Sequence, residues 1–162
     1  YARIFIYLSR ISSIIGLMLY TLFRYLHFLA IFVFAGSLVI ENMAIKPIIN
    51  GEDARNIAKV DAAYGISAVL VVAMGLVLWL GVGKPSEFYT DNSVFQGKIL
   101  LFIVIVLFST YPTSFFIKHR NSESEAIEVP RMVPILLKLE LIALIVIPVL
   151  AFMAAQGIGI TP

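Results

Sequence analysis

The sequence predicts an all-α integral membrane protein, a bundle of four membrane-spanning helices. Three observations carry that expectation. Of 162 residues, 60% are hydrophobic and 14% charged, against ~45–50% apolar and ~25% charged in soluble domains. The mean hydropathy is +0.98, more apolar surface than a water-soluble fold of this length can bury. The apolar residues also fall into four runs, each suited to a crossing of ~20 residues, with short polar loops between them. In lipid the backbone must satisfy its own hydrogen bonds, so long helices are the expected element. A single helical domain over 1–162 follows, with the lipid bilayer as its first partner. A net charge of +2 argues against a nucleic-acid surface. The lack of cysteine excludes disulfides, thiolate metal sites, CxxCH haem attachment and a cysteine nucleophile.

Residues 1–20 carry no turn signal before Thr21. A helix unbroken from there to residue 40 would be ~60 Å long, twice the hydrocarbon thickness. Three readings stand for this stretch. It is an extra interfacial helix with Arg3 and Arg10 on its polar side, or part of a signal peptide, or leader translated upstream of a start at Met18. The signal peptide fits worst, because the apolar run continues and no small-residue cleavage site follows.

The first crossing is 22–40, ending at Glu41-Asn42, and Lys46-Pro47 breaks the helix. The linker 48–56 contains the turn dipeptide Asn50-Gly51 and the polar residues Glu52, Asp53 and Arg55. The second crossing is 62–82. Asp61, Gly65, Ala68, Val72, Gly75 and Trp79 recur there at helical spacing, a mostly small face open to close helix approach. Trp79 sits near the far end, where indole favours the interface. The third crossing, 94–117, has Lys98 in its first turns and Pro112 in its last. The fourth, 132–155, contains Lys138, Glu140 and Pro148. Short loops make consecutive helices antiparallel neighbours.

The first and third loops, 41–61 and 118–131, share one side and hold Lys46, Arg55, Lys59, Lys118, Arg120 and Arg131. The positive-inside rule places them in the cytoplasm.

Few side chains offer chemistry. His27 lies inside the first crossing, and an ionisable group within a membrane is a functional candidate. Lys98 enters at the same end, each about one turn, ~5 Å, into the apolar zone. His27 suits an axial position on haem iron; otherwise it bonds a neighbouring helix. Lys98 is a second ligand, a partner for a carboxylate such as a haem propionate, or a proton donor; otherwise it snorkels. Glu140 lies about two turns into the fourth crossing from the other side. It is either a protonated, hydrogen-bonded bundle residue or a proton-relay group. Glu41 and Asp61 stand at membrane ends and read as caps or solvated charges, and His119 as a solvated loop residue. No HxxxH, HExxH, phosphate loop or GxSxG occurs. Met18, Met43, Met74, Met132 and Met153 are scattered, as packing methionines are.

The run Arg24-Tyr25-Leu26-His27-Phe28-Leu29-Ala30, then Ala35-Gly36, Gly75-Leu76-Val77-Leu78-Trp79-Leu80 and Gln96-Gly97-Lys98-Ile99-Leu100-Leu101, resembles a family of small bacterial membrane proteins of unknown function. The resemblance covers roughly 22–157. More distantly, the order of features is similar to HemJ-type protoporphyrinogen oxidases, which bind haem b. That likeness implies haem near His27 and Lys98, with Glu140 as a weaker third residue. Gln96 stands where that family has an aromatic, and Leu139-Glu140-Leu141-Ile142 replaces its Asn-Glu-x-Pro. Tyr111-Pro112-Thr113 replaces its polar residues late in the third helix. A haem site without the oxidase activity is compatible with these departures. The copper-resistance membrane domains share the broad layout, but the histidine and methionine clusters that handle copper are missing. Three functions follow as expectations: a haem b redox protein, a non-catalytic subunit or scaffold of an oligomer or larger complex using the Gly65/Ala68/Gly75 face or an outer face against partner helices, and a small proton-coupled component using Glu140.

Overall fold

The computed structural model describes residues 2–160; Tyr1, Thr161 and Pro162, and the side chains of residues 2–6, 8 and 9, Arg3 among them, lie outside the described residues. Helix α1 runs from Ala2 to Ala44 without a break, ~65 Å at 1.5 Å per residue. The expected extra interfacial helix is therefore not a separate element. No residue between Arg10 and Thr21 interrupts the helix, and the stretch continues straight into the first crossing. Pro47 follows its end.

Helix α2 spans Gly51–Val77 and closes in a π-helical turn, Leu78–Val82. It starts eleven residues before the expected crossing. Asn50 is its cap rather than a turn residue: Asn50 Oδ1 accepts the Asp53 amide at 2.7 Å, one of the orphan donors of a helix start. Glu52 and Asp53 complement the first-turn dipole. The polar stretch expected as linker is thus largely the opening of a helix. A short helix, α3 (Ser86–Thr90), precedes α4 (Ser93–His119) and α5 (Met132–Ala155). Asn92 caps α4 by accepting the Phe95 amide at 3.0 Å. Each of the four long helices is apolar enough to cross a membrane.

Chief contacts join α1 to α2 and α4 to α5, and α2–α4 and α1–α5 contacts close the bundle. The core holds Phe34, Leu38, Ile57, Tyr64, Ile105, Phe116, Val133 and Leu137. Outward residues such as Ile66, Val69, Leu107, Ile142, Ile145 and Val149 are apolar and exposed, as lipid-facing positions must be.

Two clamps hold the ends. Strands β1 (Ile48–Ile49) and β2 (Ile127–Glu128) pair antiparallel, Ile48 opposite Glu128. Gly51 N donates to Ser124 O at 2.9 Å and Val129 N to Pro47 O at 2.9 Å. The first and third loops therefore lie on one side, tied together. At the other end Ser93 N donates to Gly159 O at 3.0 Å, beside an Asn92–Ile160 bridge.

A Cβ at Gly51 would run into the Ser122 carbonyl, where backbone cannot yield as a flexible side chain can. Gly51→Ala is expected to cost ~1–3 kcal/mol, read as a lower thermal midpoint in detergent.

Candidate functional site

Polar groups gather at two levels of the bundle, and α1 carries both. Ala30, Phe34, Ser37, Leu38 and Glu41 are buried, and His27 is half-buried on the same face. Steps of three and four residues keep one face of a helix in register. His27 and Glu41 stand fourteen residues apart, ~21 Å along the axis.

At the first level His27 lies on α2. A Cβ at Gly75 would sit 3.3 Å from His27 Cε1 and 3.8 Å from Nδ1, so the glycine admits the ring. Nδ1 is buried without a hydrogen bond. The Val71 backbone is a polar neighbour of the ring, in a geometry that falls short of a bond. Lys98 of α4 lies within electrostatic range of His27, at the same end of the bundle. Lys98 Nζ stands 4.4 Å over the Phe95 ring. Phe95 meets Trp79 at 5.0 Å and Tyr89 at 5.2 Å. Burial pushes the Tyr89 phenol above its ordinary range, Tyr20 adding to that and Arg24 opposing it. The α3 loop thus folds beside Tyr20 and Arg24 of α1. Trp79 Nε1 donates to Ser86 O at 3.4 Å.

Glu140 is not part of this level. It belongs to a second, built from all four long helices. Tyr64 of α2 donates its phenol to Glu140 Oε2 of α5 at 2.9 Å. Thr113 of α4 donates to Asp61 Oδ1 of α2 at 2.7 Å. Glu41 of α1 lies within electrostatic reach of both Asp61 and Glu140. Exposure is 0% at Glu140, 1% at Glu41 and 5% at Asp61. The expectation of Glu41 and Asp61 as caps or solvated charges is therefore wrong. Near the ends of the crossings, residues of the neighbouring helices bury them.

Glu41 Oε1 and Glu140 Oε1 are buried without a hydrogen-bond partner. Among the described residues no basic side chain forms an ion pair with any of the three carboxyl groups. Lys138 is exposed, two positions from Glu140 and on another helix face. Asn42 anchors the neighbourhood, donating to Leu38 O at 2.9 Å and Leu137 O of α5 at 3.1 Å. Between the levels Phe34 stacks on Tyr64 at 4.5 Å and meets Phe102 at 5.9 Å.

Tyr64 and Thr113 also went unread as site residues. The available signal was periodicity. Asp61, Tyr64 and Ser67 repeat every three residues on α2, and Ser37 precedes Glu41 by one turn. The inward face of α2 is Ala54, Ile57, Asp61, Tyr64 and Ser67, rotated from the expected small face. Gly65 is exposed, with nothing within 4 Å of a built Cβ, while Gly75 is occupied by His27. His119 is half-buried, its Nδ1 2.8 Å from Phe115 O, not a freely solvated loop residue.

Chemically, the first level offers an imidazole and an ammonium among aromatics. The second offers three carboxyl groups, a phenol and a hydroxyl. Among the described residues no three His, Asp or Glu side chains are placed to hold a metal ion.

Neither a curated protein nor a solved structure matches this chain, so the likeness to HemJ-type oxidases rests on the residue pattern alone. A family model described as Predicted membrane protein (DUF2214) matches residues 20–159. That span takes in all four crossings and both polar levels, and the chain belongs to the DUF2214 family of predicted membrane proteins.

Proposed function

We propose that this protein handles protons within the membrane, as a small proton-coupled component whose working group is Glu140 with Tyr64, Asp61 and Glu41. The observation that carries this reading is the setting of Glu140. It is fully buried, bonded by a phenol on one oxygen, unpartnered on the other, and near two further buried carboxyl groups. Ionised carboxylates without counter-cations are too costly in a low-dielectric interior. Protons held on these carboxyl groups remove that cost. A group that holds a proton in the membrane interior is the usual part of a proton relay.

Four helices are few for a complete transport path, so the reading includes assembly with further copies or a larger membrane partner. On the charge distribution, the side with the β1–β2 clamp is the cytoplasmic side of a bacterial inner membrane. The test is acidification of vesicles containing the purified protein, followed by a pH-sensitive dye under an imposed potential. Flux above that of empty vesicles, lost in Glu140→Gln, supports the reading. Flux indifferent to Glu140→Gln removes it.

A second reading has its own observation. The buried Nδ1 of His27 has no hydrogen bond and lies against Gly75 of α2. If haem b binds here, the His27 imidazole would hold its iron and Lys98 would balance an acidic edge of the cofactor. When bound, haem would supply one-electron chemistry; His27 would hold it and Gly75 would keep the ring in place. The purified protein expressed with ample haem is expected to show a Soret band that His27→Ala abolishes. A colourless, folded preparation overturns this second reading.

A further inference from the structure

A cleft of ≈ 100 Å³ opens between the last turns of α1 and the first turns of α2. At ~30 Å³ per water it has room for about three. Its rim is polar, with Asn56 exposed and Asp53 half-exposed. Ala44, Ile57 and Val60 make an apolar wall. The deep side is Glu41, 1% exposed, with Oε1 lacking any partner. A buried carboxyl oxygen without a bond is rare, because the loss of its hydration is uncompensated. Glu41 lines this water-sized space, while its unbonded oxygen is itself closed to solvent and has no donor from the protein.

Beyond Glu41 the polar groups continue and then stop. Asp61 and Glu140 are within electrostatic reach, and Tyr64 bonds Glu140. The rings of Phe34, Tyr64 and Phe102 then fill the next layer. We propose that this cleft is the water port of the acid cluster. Protons enter and leave from the side of the β1–β2 clamp, and Glu41 is the first group they meet. A hydronium ion in the cleft gives its proton to Glu41 and leaves as water. The proton then redistributes among Glu41, Asp61 and Glu140, and the reverse transfer returns it to cleft water. The charged groups facing Glu41 are Asp53 at the rim, Asp61 from α2 and Glu140 from α5. This inference rests on the proton-handling reading above.

The chain has no cysteine, so one introduced thiol gives an unambiguous label. Ala44→Cys, purified and folded, is modified with a bulky, uncharged, water-soluble maleimide. The carboxylic-acid C=O stretch is then followed by infrared spectroscopy on transfer from H₂O to D₂O. The proposal expects the modified protein to keep its acid bands but to exchange them about tenfold more slowly. The same label on Asn121→Cys, in the exposed third loop, leaves exchange unchanged. Val60→Cys serves in the same way if Ala44→Cys does not fold. A thiol at the cleft that does not react, or exchange unaffected by the label, overturns the port. The lack of any carboxylic-acid band in the unmodified protein instead overturns the proton-handling reading itself.

Discussion

Glu140→Gln is expected to reduce proton flux in reconstituted vesicles by about 10²-fold or more, the range of a single proton-transfer group. The amide has the shape of the carboxyl group, and its oxygen can still accept the Tyr64 phenol that now stands 2.9 Å from Glu140 Oε2. What it cannot do is take up and release a proton near neutral pH. Folding should survive, because the change removes a carboxyl group from a cluster with no counter-cation and leaves no void. Circular dichroism and detergent elution unchanged from the parent protein, together with lost flux, would separate chemistry from structure. Tyr64→Phe makes the complementary change. It keeps the stack on Phe34 at 4.5 Å and removes the one donor to Glu140. A smaller loss of flux is expected than for Glu140→Gln, since the proton-holding group remains.

Phe34→Ala has the largest expected effect on stability, ~3–5 kcal/mol. Phe34 is 2% exposed and joins α1 to Tyr64 of α2 and Phe102 of α4. Removing the ring leaves a cavity at the meeting of three helices, between the two polar levels. Unfolding in mixed micelles of increasing denaturing-detergent fraction should show it. Phe34→Leu should recover most of the loss. A Phe34→Ala protein as stable as the parent would mean that the layer between the levels is not packed as the ring distances indicate.

The helical spans were legible because hydropathy is additive along a run. One crossing, 132–155, coincides with α5, and 94–117 falls one to two residues inside α4. Terminal detail was less legible because the same residues mark different structures. Asn50-Gly51 reads as a turn, yet Asn50 caps α2, since a helix cap and a turn both use the Asn side chain to bind nearby amides. The β1–β2 pairing joins segments nearly eighty residues apart through two residues on each side, too short for periodicity to register. His27 and Lys98 could be placed at one depth because each lies a known number of residues inside its run. Glu41 and Asp61 were misplaced by the same reasoning. Depth alone says a carboxyl group near a helix end meets water; burial there depends on the helices around it. The inward periodicity of α1 from His27 to Glu41 was present in the sequence, but only packing shows which face is inward.

On the proposed function, Glu41, Asp61 and Glu140 share protons inside the bundle. Infrared spectroscopy of the detergent-solubilised protein at neutral pH tests it most directly. A carboxylic-acid C=O band that shifts in D₂O and weakens in Glu140→Gln is expected; its absence, with only ionised carboxylate bands present, would overturn proton sharing by these groups.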